Sequence, residues 1–509
     1  MQDSGVLLGR SSAPFIHSLP VELLSEIFTI VAYMARQTTT HTAWMQLLLV
    51  CGLWKRVACE IAELWRVIYV NSNPNWLRLC LDRAARSSID LHLPNLGERD
   101  TQAVKRLILP YKDRIRAIYI TGSHHGLTTR TADLFTIDLT ALEEFSFIPV
   151  EWRVKSETLL GLYTPTFPAI RSLTLSGISI PRDPSFYRNI RSLELHEHCC
   201  KCKGFTIRDL FLALHAASHS LEELDLSRFD PIQEPLRKEH PQFQLEKLRS
   251  FCMDNSFKLA SQIVKPLLIP SRTHLRLRIA LAEGDAMEHH TTNRLLAAIV
   301  PPNIRVALDQ AEELAVLVER DRFRVRVLDS DQDILSSERV RVEILGSYFP
   351  AEALRAVPVV CAAPLTTLSI NSPNIQHEIG DWRHVLGAFP LLENLAVHGW
   401  KESWTKTIGL PFKALAKEAE TGLPAATNST KGVVRCPSLK AIRVEGSSLA
   451  AWSLLEGQEL LRFLDTVLGC LQSREGYARR LETLTLRSFL PGEAGGELEA
   501  LVDRVEILN

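Results

Sequence analysis

A short apolar motif with spacing i, i+3, i+5 recurs along the 509-residue chain and constrains its fold more than any other feature. It appears as Ile115-Ile118-Ile120, Leu142-Phe145-Phe147, Ile170-Leu173-Leu175, Ile190-Leu193-Leu195 and Leu221-Leu224-Leu226. It returns as Leu365-Leu368-Ile370, Leu392-Leu395-Val397, Leu439-Ile442-Val444 and Leu481-Leu484-Leu486. The last two apolar residues of each copy are two positions apart, so on a strand they point to the same face. A strand this short cannot bury that face alone. Copies must stack side by side, with a helix or irregular return closing each turn.

The pattern resembles the LxxLxL core of leucine-rich repeats. That family places asparagine three residues beyond the last leucine, where it satisfies backbone groups in the turn. Here those positions hold Ile178, His198, Phe229, Trp400, Ser447 and Phe489, so each turn must satisfy its backbone in another way. The resemblance implies an irregular, leucine-rich-repeat-like α/β solenoid over residues 71–509. The alternative is a set of unrelated amphipathic strands in an α/β domain. Between about 273 and 345 the motif lapses. Alternating strands are still expected at His274–Ile279, Ile304–Val306, Phe323–Val327 and Val340–Ile344. Helices are expected at Asn293–Val300 and Gln310–Glu319 between the first three. The small, polar stretch Ala416–Arg435 reads as a flexible insertion, and Leu498–Asn509 as a closing helix and strand.

Ahead of the repeats, residues 1–14 are small and polar and read as disordered. Next comes an apolar stretch at helical spacing, from Ile16 to Ile68. Leu19-Pro20 opens it, with Glu22 suited to a first helical turn. Two adjacent apolar rows follow, Leu23/Ile27/Ile30 and Leu24/Phe28/Val31, and then Leu47, Val50, Trp54, Val57, Ala58 and Ile61. Two rows make a face wider than one neighbour covers, so surplus apolar surface is expected to meet another polypeptide.

Leu19-Pro20-x-Glu22-Leu23-Leu24-x-x-Ile27-Phe28, Leu49-Val50-Cys51-x-x-Trp54 and Leu64-Trp65 resemble an F-box over residues 15–70. The segment Arg36–Thr42 is longer and more polar than the link usual there. The resemblance implies a three-helix module that docks on the Skp adaptor and ties the chain to an SCF-type cullin ubiquitin ligase. Its adaptor-binding positions would be Leu19, Pro20, Leu23, Leu24, Ile27, Phe28, Val50, Cys51 and Trp54. With the repeats holding a target protein, the chain would be a substrate receptor, or else an adaptor-bound or free scaffold without a ubiquitin role.

Bulk features set the remaining bounds. A net charge of -1 leaves no global field to attract nucleic acid or an anionic membrane. No apolar run approaches the roughly 18 residues that span a bilayer, and the first residues lack the pattern of a secretory signal. Scattered cysteines inside apolar rows fit reduced thiols in cytoplasm or nucleus. No P-loop, GxGxxG, GxSxG, HExxH or EF-hand pattern occurs, so neither enzyme activity nor a cofactor is expected. In His196-Glu197-His198-Cys199-Cys200-Lys201-Cys202 the cysteine spacing is that of a zinc knuckle. No second ligand pair follows, so the stretch reads as a loop with incidental thiols and no metal. Finally, Arg276, Arg278, Arg305, Arg324, Arg326 and Arg341 occupy the outward phase of the middle strands. Side by side they would form a basic patch for an acidic or phosphorylated segment of the target.

Overall fold

A computed structural model describes residues 19–36, 42–70, 73–94, 98–122, 137–149, 167–176, 180–196, 205–231, 242–281, 308, 311–319, 322–328, 338–346, 351–361, 364–372, 377–400, 409–416, 434–446, 458–475, 477–487 and 495–508. The chain is mixed α/β, its strands are mostly parallel, and it divides into two compact units.

The first unit comprises residues 1–192 and 198–205. It opens with helices α1 (Val21–Arg36), α2 (Gly52–Glu60) and α3 (Ala62–Trp65). Strands β1 (Val67–Tyr69), β2 (Ile89–Pro94), β3 (Ile115–Gly122), β4 (Glu144–Pro149) and β5 (Ser172–Ser176) follow, each parallel to the next. Parallel neighbours need crossover connections. Helices α4 (Pro74–Arg83) and α5 (Glu98–Ile108) supply the first two. Proline stands in the first turn of α4, and the Asn73 side chain caps it by accepting from Asn75 N–H at 3.0 Å.

The second unit comprises residues 193–197 and 206–509. Its strands are β6 (Ser192–His196, whose first residue belongs to the other unit), β7 (Glu223–Ser227), β8 (Phe243–Gln244), β9 (Ser250–Ser256), β10 (Leu267–Leu268) and β11 (His274–Ala280). Then come β12 (Glu313–Val318), β13 (Arg322–Leu328), β14 (Glu338–Leu345), β15 (Thr367–Asn371), β16 (Asn394–Trp400), β17 (Ala441–Gly446), β18 (Leu481–Arg487) and β19 (Val502–Leu508). Strands β8 and β10 pair only with each other. The pairings run β7–β9–β11–β14–β13–β12–β15–β16–β17–β18–β19. Chain order is therefore reversed across the middle three strands. Strand β13 runs antiparallel to both neighbours, so β12 and β14 keep the direction of the parallel strands outside them.

Every residue of the nine apolar triplets is buried. Two further copies lie in β9 and β19, Leu248-Phe251-Met253 and Val502-Val505-Ile507. Where an asparagine ladder is missing, other groups reach the turn carbonyls. Asn255 donates to Leu226 O at 2.7 Å and Thr273 to Leu248 O at 2.8 Å, while buried Arg474 donates to Arg435 O and Cys436 O, each at 2.7 Å.

One element differs in type from its expectation. Gln310–Glu319 reads as a helix, but residues 313–318 form β12, paired to β13 on one side and β15 on the other. The Ala-Glu-Glu-Leu-Ala composition favours a helix, but by only tenths of a kcal/mol per residue, and the two strand neighbours that satisfy the backbone along its length override it. Strands β11, β13 and β14 and the closing helix–strand pair (Gly495–Leu501 and β19) lie where expected. Expectations for 1–14, 293–300, 304–306 and the centre of 416–435 fall outside the described residues.

Candidate functional site

The N-terminal helices are built around a small aromatic core. Helix α1 buries Leu24, Phe28, Ala32 and Ala35, one stripe at helical spacing. A 3-10 turn over Ala43–Leu49 buries Trp44. Cys51 then adopts extended backbone and caps α2, its Sγ accepting from Trp54 N–H at 3.5 Å. Helix α2 buries Trp54, Val57 and Ala58, and α3 buries Leu64 and Trp65. The rings interlock, with Phe28 and Trp54 centroids 5.0 Å apart and Trp44 edge-on to Trp65 at 5.2 Å. Trp65 donates its indole N–H to Ala58 O at 2.9 Å and packs 6.1 Å from Trp76 of α4. Arg83 of α4 lies over the Trp65 ring and donates to Cys59 O at 3.1 Å, which ties the helices to the first strands.

The second apolar row of α1 faces solvent. Leu23 is 46%, Ile27 39% and Ile30 56% exposed, whereas Leu24 and Phe28 are fully enclosed. Tyr33 and Met34 extend this ridge, and Val50 and Leu49 are exposed at the end of the 3-10 turn, Leu49 at 84%. The α1 hydroxyls add little polarity, because Ser25 and Thr29 donate back to Val21 O and Ser25 O at 2.8 and 2.9 Å. A soluble surface rarely gathers this many large apolar side chains unless it meets a partner.

Of the nine positions matched to the docking motif, Pro20, Leu23, Ile27 and Val50 are thus on the surface. Leu24, Phe28 and Trp54 are in the core, and Leu19 and Cys51 are half-buried, Cys51 as a helix cap. Tyr33 and Met34 join the ridge without having been singled out, and Leu49, quoted in the motif, joins it although it is not among the nine docking positions. For Met34 the signal was its i+4 spacing from Ile30.

The outward face of the second unit carries the basic positions. Register aligns Arg276, Arg341 and Arg326 in one row across β11, β14 and β13. The next row holds Asp254, Arg278, Glu343 and Arg324. There Arg324 meets Glu343 at 2.6 Å and Arg278 meets Asp254 at 3.5 Å, so that row is charge-balanced. Arg322, an arginine the sequence reading passed over, also meets Glu343, at 3.3 Å. Arg305 lies outside the described residues. Further outward positions, including Tyr119, Thr174, Glu194, Asp225, His398, Arg443 and Thr485, share no chemical character. At Tyr69, His92 and Tyr119 the rings stack across β1, β2 and β3 with centroids 4.3 Å apart.

Of the His196–Cys202 stretch, only His196 lies among the described residues, between Glu194 at 3.5 Å and Asp225 at 4.0 Å. Its hydrogen bond to Glu194, and then the Asp225 charge, hold its pKa above the usual histidine value despite burial. Among the described residues no cluster of three His, Cys, Asp or Glu side chains is arranged to hold a metal ion. No helix among them is long and apolar enough to cross a membrane. No family model and no curated protein matches the chain.

Proposed function

We propose that the chain is the substrate receptor of an SCF-type cullin ubiquitin ligase. The ridge Leu23–Ile27–Ile30, with Leu49 and Val50, docks on the Skp adaptor, and the outward sheet face of the repeat-like body holds the target protein. The observation that carries this reading is the split of α1 into two apolar rows, one enclosed and one bare, on a segment that matches the docking motif. The chain needs no catalytic residue for this role. It raises the effective concentration of a target lysine near a ubiquitin carrier held by other subunits.

The test separates docking from folding. Leu23→Asp with Ile27→Asp places two charges on the bare row and none in the core. The double variant is expected to keep the parental melting temperature and lose capture of purified Skp adaptor by at least tenfold. Undiminished capture by a folded double variant would sink the proposal. Capture of the adaptor without recruitment of a cullin would favour a scaffold with no ubiquitin role.

A further inference from the structure

Between the helix Gln458–Arg474, the turn that follows it and the helix Gly495–Leu501, the second unit holds a cleft of about 90 Å³. Leu471, Ala478, Leu481, Ala500 and Leu501 give it an apolar lining, and Arg474, Glu475, Arg479 and Arg480 supply its charge. The space is far below the roughly 300 Å³ of a pocket that encloses a drug-sized molecule, so it suits one short aliphatic group. Arg474 sets the sign of the cleft. It is buried and donates to Leu415 O at 3.3 Å and to Arg435 O and Cys436 O at 2.7 Å, but among the described residues no carboxylate meets it. Buried charges are ordinarily paired, and carbonyl dipoles leave this one's net charge in place. A guanidinium carries five N–H groups, so these bonds leave donors over. Burial lowers the Arg474 pKa, and the Cys470 and Cys436 thiols, not a carboxylate, act against that. Arg479 meets Glu482 at 2.5 Å and Arg480 meets Asp503 at 3.0 Å, with all four side chains about half exposed. Such surface pairs hold weakly, so either guanidinium can give a further N–H to a bound anion. Arg480 is also held to Ala500 O, at 3.0 Å, on the rim of the cleft. The acid in the lining, Glu475, is exposed to solvent.

We infer that this cleft binds a carboxylate carried on a short branched aliphatic group, as at the leucine end of a peptide chain or in a free acid of that size. The aliphatic part lies against Leu471, Leu481 and Leu501, and the carboxylate faces Arg474 and Arg480. There it accepts charge-assisted hydrogen bonds and supplies the counter-charge that Arg474 lacks. A bare inorganic anion would leave the leucine-lined part of the cleft empty. A neutral aliphatic group would fill that part and leave Arg474 uncompensated, and a cation would be opposed by Arg474 itself. The inference goes beyond the receptor role proposed above and does not depend on it, since α1 takes no part in this site.

Isothermal titration calorimetry of the full chain tests this with N-acetyl-leucine and with a heptapeptide ending in leucine, each as the free acid and as the C-terminal amide. In at least one of the two sizes, the free acid is expected to bind at least tenfold more tightly than its amide. Tighter binding by the peptide acid names a chain end as the ligand, and tighter binding by N-acetyl-leucine names a small acid. Truncating Arg474 would remove framework hydrogen bonds along with the charge, so the diagnostic variants lie at the rim. Ala500→Trp, at an exposed position, fills the cleft and should abolish binding at an unchanged melting temperature. Should that variant melt early, Arg480→Gln carries the test and is expected to weaken acid binding about fivefold. Glu475→Gln removes a competing carboxylate and should tighten acid binding about threefold. Equal affinity of acid and amide in both sizes overturns the inference, as does binding by none of the four probes. Acid binding undiminished in Ala500→Trp and Arg480→Gln also overturns it, and weaker acid binding in Glu475→Gln would do so by marking a cation site.

Discussion

At the scale of single residues, burial decides what each side chain can do. Cys436 is enclosed and donates its S–H to Leu386 O at 3.2 Å; burial pushes its thiol up to about 12, and does the same for Cys80 and Cys470. These thiols behave as core side chains. His196 shows the opposite case, a titratable group whose charged form is favoured by Glu194 and Asp225, so that its pKa is raised. Because its folded value lies above the ordinary 6.5, the stability it adds is complete below that pH and fades as pH rises through the raised value. His196→Gln should therefore lower the melting temperature more at pH 5.5 than at pH 8.5, as read by differential scanning calorimetry. An equal deficit at both values would mean the ion pairing contributes nothing. The two apolar rows of α1 carry the same lesson. Both are legible in the sequence, yet Leu23 and Leu24 are chemically identical, and no local pattern says which turns inward.

At the scale of elements, the i, i+3, i+5 triplets located their strands because the spacing itself encodes a buried turn residue followed by two inward strand residues. The copy Leu248-Phe251-Met253 was present but disguised by methionine in its last apolar position. Strand β12 was illegible for a different reason. Its residues are tolerable in a helix, and what makes them a strand is the pair of neighbours contributed from positions 322–328 and 367–371. That register is testable. Val316 is buried and Leu317 lies in the outward phase, so Val316→Asp should cost more than about 3 kcal/mol in urea denaturation, and Leu317→Asp well under half as much. The reverse ranking would mean that the strand is shifted by one residue.

At the scale of the whole molecule, the N-terminal helices are part of the first unit's packing. Residues 1–70 include β1, which pairs with β2, and Trp65, which packs on Trp76 and under Arg83. Deleting them should leave an unpaired edge on β2 and bare apolar surface, so the truncated chain is expected to melt earlier or aggregate by size-exclusion chromatography. The Leu23/Ile27 double variant should do neither. A truncated chain as stable as the parent would show that these helices fold apart from the strands. What the sequence by itself determined is local: where the apolar triplets lie, which side of each strand is inward, and that α1 carries more apolar surface than one neighbour covers. Spacing of 3.6 or 2 residues decides these. The choice of the enclosed row of α1, the order β11–β14–β13–β12–β15 and the arginine row it assembles were decided only in tertiary structure. Those features depend on backbone pairing and packing between segments tens of residues apart, and local periodicity is the same whichever neighbours are chosen.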